Sequence, residues 1–202
     1  MNVRTEFPTP ENASNFNCVA DSQTEVGSTL DNLKAAVTGE TDASAKYTAY
    51  AEAADAAGFS QIARLFRATA DAEQIHIRLE SALVKAVEPD YAMPVAGNVA
   101  AVPTDISLVN AALGEIYETS DMYPAFIAKA QAEGDAKAVA VFARAKLAES
   151  VHAEKYLEAY NNIDAADDDA YYLCPGCGYI HKGEDFEKCP ICGAPKSAFK
   201  AY

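Results

Sequence analysis

Two Glu-x-x-His tetrads, Glu73 to His76 in "AEQIH" and Glu149 to His152 in "AESVH", lie 76 residues apart in alanine-rich sequence and take up two of the chain's three histidines. The interval recurs: Tyr47, Tyr50, Gly58 and Phe66 match Tyr123, Phe126, Gly134 and Phe142 at the same offset, so a helical hairpin is duplicated. Upstream the offset falls to 75, with Thr29, Leu33, Gly39 and Glu40 matching Thr104, Leu108, Gly114 and Glu115. One residue is therefore inserted between Glu115 and Tyr123. The same stretch, "LGEIYETSDMYP", carries an added carboxylate, Glu118, where the first copy has Ala43.

The duplication constrains the fold. Breaker-poor amphipathic segments over 29–56, 60–87, 105–132 and 135–160 are joined by the turn "AAGFS", the crossover "EPDYAMPVAGNVAAVPTD" and the turn "AEGD". Short, long, short connections predict a mainly α chain: a four-helix bundle of two hairpins with one long crossover. Glu40 lies 18 residues before Gly58 and Glu73 lies 15 after it. At about 1.5 Å per residue those two carboxylates differ in height by only about 5 Å. Glu115, Gly134 and Glu149 repeat the relation, and on a helix a Glu and a His three residues apart share a face.

Glu40, Glu73, His76, Glu115, Glu149 and His152 can thus converge at one level of an interior rich in Ala, Leu and Phe. Four unpaired carboxylates there would cost too much in lost hydration, and two metal cations would offset that cost. One Glu from each of two helices, plus Glu-x-x-His from the other two, is the pattern of di-iron and di-manganese carboxylate proteins. Tyr47 stands seven residues after Glu40, two turns along the same face, and Tyr123 is its twin. Each reads either as a core aromatic or as a phenol that hydrogen-bonds a ligand or a bound substrate. The inserted residue would rotate Glu115 by about 100° in a regular helix. A π-bulge between Glu115 and Tyr123 absorbs it and turns Glu118 towards the metal face.

The C-terminal stretch "YYLCPGCGYIHKGEDFEKCPICGAPKSAF" holds C-P-x-C-G twice, at Cys174/Cys177 and Cys189/Cys192. Four thiolates so spaced close a tetrahedron on one metal, either a structural zinc or a redox-active iron. His181, between the pairs, is then not needed as a ligand. Cys18 stands alone and reads as an ordinary thiol. Two CxxC pairs speak for metal ligation in a reducing compartment rather than for a disulfide framework. The net charge of -14 disfavours nucleic acid and anionic membranes as partners. With no apolar run of membrane-spanning length and no signal-peptide pattern, a cytoplasmic protein is expected. The expected organisation is an N-terminal extension (1–28), the bundle (29–160), an acidic linker (161–170) and the cysteine module (171–202).

Over residues 29–202 the chain resembles the rubrerythrin family, through "GE", "EQIH", "GEIYETSDMYP" and "ESVH" in the family's order, followed by a rubredoxin-like tail. The resemblance implies a ferritin-like bundle with a non-haem di-iron site and a separate Fe(Cys)4 site. It implies a peroxidase of oxidative-stress defence that reduces hydrogen peroxide to water, with electrons supplied by an NAD(P)H-linked reductase. It also implies a homodimer or larger assembly, with the tail of one subunit near the di-iron site of another. Carried over by residue, Glu73 and Glu149 resemble bridging ligands, Glu40 and Glu115 terminal ligands, and His152 the histidine of one iron. Glu118 and His76 resemble a pair that exchanges at the other iron, Glu118 binding when it is oxidised and His76 when it is reduced. Tyr47 and Tyr123 match phenols beside the ligands. Tyr171 and Tyr172 depart from the family at a place where Trp is frequent. The rival readings are an iron-handling or ferroxidase protein, an oxygen-reducing oxidase on the same metals, and a zinc-ribbon module with the bundle as scaffold.

Overall fold

A computed structural model describes residues 22–165 and 167–202. The expectations for residues 1–21, Cys18 among them, and for Ala166 of the linker lie outside the described residues. The helices are α1 (Thr29–Ala56), α2 (Ser60–Val87), α3 (Thr104–Tyr117), α4 (Tyr123–Glu133) and α5 (Ala136–Asn161). A single π-helical turn, Glu118–Met122, joins α3 to α4. These two therefore form one long, bulged rod, the third of four in the bundle, and the inserted residue sits where the change of offset puts it.

Local chemistry sets the ends. Ser28 accepts a hydrogen bond from the Asp31 N–H while Asp31 reaches back to the Ser28 backbone, a reciprocal cap on α1. Gly58 (φ 86°) and Gly134 (φ 76°) occupy the left-handed conformation that turns each hairpin, which explains why glycine recurs there at the repeat interval. Asp135 caps α5 through the N–H groups of Lys137 and Ala138. The crossover between α2 and α3 is extended and is tied to α1 by the Gly97 N–H on Asp42 (3.0 Å).

Alanines line the helix contacts and let the rods approach closely. The core forms two apolar clusters with a polar layer between them. One holds Tyr47, Tyr50, Phe66, Leu108 and Tyr156. The other holds Leu33, Val84, Tyr123, Phe126 and Phe142. Along every rod the single Glu, or the Glu-x-x-His pair, falls between the stretches that feed these clusters.

The C-terminal module is a three-stranded antiparallel sheet of order β2-β1-β3, with β1 Tyr171–Leu173, β2 Ile180–Lys182 and β3 Lys200–Ala201. Two matching loops carry the cysteines, each closed by a glycine N–H on a cysteine carbonyl: Gly178 on Cys174 (3.1 Å) and Gly193 on Cys189 (3.0 Å). Tyr171, Leu173 and Ile180 join the first apolar cluster of the bundle. Around that seam Lys200 and Tyr202 bond Asp71, Lys182 reaches Glu158 (3.1 Å), and Arg78 donates to the Pro175 carbonyl (2.9 Å). The module thus lies on α2 and α5 of its own chain.

Candidate metal centre

Glu40 on α1, Glu115 on α3, Glu73 and His76 on α2, and Glu149 and His152 on α5 meet in the polar layer, all fully buried. They form two overlapping sets, Glu40, Glu73, His76 and Glu149, and Glu73, Glu115, Glu149 and His152. Each set offers four ligand atoms within 4.8 Å of one another. Glu73 and Glu149 belong to both, the placement a bridging carboxylate requires. His76 Nδ1 lies 2.7 Å from Glu149, 3.1 Å from Glu73 and 3.9 Å from Glu40. His152 Nδ1 lies 2.7 Å from Glu149 and 3.9 Å from both Glu73 and Glu115.

The other ring nitrogens point to the cysteine module. His76 Nε2 is 3.0 Å from the Cys177 carbonyl, and His152 Nε2 is 2.8 Å from the Gly178 carbonyl. A carbonyl only accepts, so each Nε2 carries a proton and donates it, which turns each Nδ1 into the basin of carboxylates. A Cβ on Gly178 (φ 80°) would stand 2.5 Å from His76 Nε2, so only glycine allows this approach.

The donor atoms fit cations. One oxygen each of Glu40, Glu73 and Glu115, both oxygens of Glu149 and His152 Nδ1 are buried without a hydrogen-bond partner. Acceptors facing acceptors repel one another unless positive charge lies between them. Burial raises Glu73 and Glu115 well above the ordinary carboxyl range, and neighbouring carboxylates add to the shift. Burial acts on Glu149 as well, but the two imidazoles outweigh it and hold that carboxyl low.

Both tyrosines hydrogen-bond carboxylates rather than merely packing. Tyr47 donates to Glu115 and Tyr123 to Glu40, so each hairpin's phenol serves the other hairpin's glutamate. Glu118 is half-buried in the π turn with its carboxyl beside that of Glu115, near Glu40 and Glu149 and with Lys46 in its field. It faces inward but belongs to neither four-atom set. Glu80 escaped the sequence reading. It is fully buried, 2.9 Å from the Tyr123 hydroxyl, one turn beyond His76. Its repeat partner is Tyr156, so the symmetry that picked out the other glutamates hid this one, although its place on the His76 face was a usable signal.

Cys174, Cys177, Cys189 and Cys192 gather their sulfurs within 4.8 Å, with Cys174 to Cys192 and Cys177 to Cys189 both 3.4 Å. The edge of a tetrahedron with about 2.3 Å metal–sulfur bonds is about 3.8 Å, close to that spacing. His181 stays outside, bonded to Asp185 (2.8 Å) and Tyr179 (3.1 Å).

Among known families, residues 31–160 match "Rubrerythrin" and residues 172–200 match "Rubrerythrin, rubredoxin-like domain". The chain is 67% identical to nigerythrin of Nitratidesulfovibrio vulgaris over 202 residues, all of both chains. It is 33% identical to rubrerythrin of the same organism, over 85% of this chain and 93% of that one. A solved structure described as the fully reduced, all-ferrous state of nigerythrin superposes with a TM-score of 0.93 over the whole of both chains. With matches across both the helical layer and the cysteine loops, this chain belongs to the rubrerythrin family.

Proposed function

We propose that the protein is a peroxidase that reduces hydrogen peroxide to water at a di-iron site, with electrons entering through an Fe(Cys)4 centre from an NAD(P)H-linked reductase. The observation that carries this reading is the pair of hydrogen bonds from His76 and His152 to the Cys177 and Gly178 carbonyls. They join the two donor sets through one hydrogen bond each, a route with no use in a metal store or in a zinc-stabilised scaffold.

In this reading Glu73 and Glu149 bridge, Glu40 and Glu115 are terminal ligands, and His152 serves one metal. His76 and Glu118 alternate at the other. The geometry here, with His76 Nδ1 in the basin and Glu118 outside both sets, fits the reduced arrangement. Bound iron would supply the redox chemistry for cleaving the O–O bond, in which H2O2, two protons and two electrons yield two waters. Tyr47 and Tyr123 hold hydroxyl protons at Glu115 and Glu40, next to where those protons are needed.

The assembly is proposed to be a homodimer or larger, since Ile106, Val109, Leu113 and Tyr117 leave an exposed apolar stripe along α3. A cytoplasmic site of action fits the four thiolate ligands, and among the described residues no helix is long and apolar enough to cross a membrane.

The test is Cys174→Ser. It should leave one round of di-iron oxidation by peroxide intact and slow NADH-coupled multiple turnover. Undiminished turnover would remove the electron route. Reoxidation of the reduced protein by oxygen as fast as by peroxide would favour the oxidase, and iron loading far beyond three per chain would favour storage.

A further inference from the structure

The segment before α1 is an extended strap anchored at both ends. At its C-terminal end Gly27 N–H donates to Asn32 (2.9 Å), Ser28 caps α1, and Thr29 N–H bonds Glu133 (2.8 Å) at the far end of α4. At its other end Ser22 Oγ, Gln23 N–H (2.8 Å) and Thr24 Oγ1 (3.1 Å) all donate to the Asp121 carboxylate. Thr24 spends its one proton there, so the Tyr117 hydroxyl, 3.1 Å away, donates to Thr24 Oγ1. Lengths agree: six extended residues reach about 20 Å, and the twelve helical residues from Asp121 to Glu133 span about 18 Å.

Tyr117 and Asp121 flank Glu118 in the π turn, and both are held on the side the strap covers, while the Glu118 carboxyl points to Glu115. The first hairpin has a fainter version of the same device. Gly97 stands as far before α3 as Ser22 stands before α1, and it bonds Asp42, the twin of Tyr117 at the offset of 75. One bond there becomes four here, on the one rod that carries the extra residue.

We infer that residues 22–24 form a strap that, through Asp121 and Tyr117, sets the rotation of the π turn and so the aim of Glu118, which makes Asp121 a positioning residue for the exchangeable ligand. A π turn has wider, weaker hydrogen bonding than the helices on either side and gains most from such an outside hold. Because this rests on Glu118 acting as a ligand, that role needs its own control.

The full chain carrying Ser22→Ala and Thr24→Val, both substituted outside the helices, should keep wild-type helicity and iron content. Amide exchange over residues 117–122 should quicken by roughly tenfold or more, as expected from the loss of hydrogen bonds to a charged group. The oxidised-minus-reduced visible spectrum should shift, and restoring one hydroxyl, as Ser22→Ala with Thr24→Ser, should bring both readouts back towards wild type. Exchange at the wild-type rate, or faster exchange with an unchanged spectrum, overturns the positioning role. Glu118→Gln is the control. If it shifts the spectrum and the strap variant does not, only the strap role fails; if it leaves the spectrum unchanged, Glu118 is no ligand and the strap role falls with it.

Discussion

Gly178 shows how one missing side chain joins two sites. With 2.5 Å between its would-be Cβ and His76 Nε2, Gly178→Ala must push the cysteine loop away from the bundle. The expected result is a protein with normal iron content at both sites and unchanged oxidation by a first equivalent of peroxide, but slower NADH-coupled turnover, read by stopped-flow of the Fe(Cys)4 colour. The convergence of the four glutamates and two histidines was legible in the sequence because each has a twin at a fixed offset. The hydrogen bonds from His76 and His152 to the module were not, since a backbone carbonyl leaves no residue type to read. Glu80 was hidden for a related reason: its twin is Tyr156, so nothing repeated.

Among the helices, the comparison of α1 with the α3–π–α4 rod isolates what the insertion does. Glu40 to Tyr47 is seven residues and Glu115 to Tyr123 is eight, yet both tyrosines reach the opposite glutamate. Deleting Glu118 removes the extra residue and the extra carboxylate together and should give an ordinary helix like α1. That variant is expected to fold and bind two metals, while peroxide turnover falls by roughly 10- to 100-fold, the range seen when groups supporting a metal site are altered. Wild-type turnover would show the bulge to be incidental. The bulge was legible as a change of offset from 75 to 76; the strap that holds it was not. The Asn-, Thr-, Ser- and Pro-rich text before α1 reads as a loose extension, and a hold on Asp121 nearly a hundred residues away has no periodic signature. Core packing follows the repeat more simply. Phe66→Ala or Phe142→Ala, each emptying a fully buried ring site, should cost about 3–5 kcal/mol of stability by denaturant titration.

In the molecule as a whole, the bundle and the module are held together by an apolar seam and a few ionic ties. Asp71 is partly buried, which raises its carboxyl, but Lys200 and Tyr202 outweigh this and leave it below its ordinary value of 3.8. A carboxyl lowered by folding stabilises the docked form above its unfolded pKa, and that contribution is lost as pH falls through the folded value. Docking should therefore be insensitive to pH from neutral down to about 4 and weaken below it, read as faster amide exchange in β3; Asp71→Asn should show the weakened state at every pH. The exposed stripe on α3 belongs to a different face. Leu113→Glu should convert the proposed dimer to monomer by light scattering without loss of iron.

The hydrogen bonds of His76 and His152 to the module of their own chain, set beside the cross-subunit approach that the family resemblance implies, also have a consequence for enzyme concentration. If Cys177 and Gly178 serve the histidines of their own chain, every chain is a complete circuit. Turnover per chain should then stay flat on dilution through the point where subunits part, and mixing chains dead at the cysteine loop with chains dead at the helical layer should restore nothing.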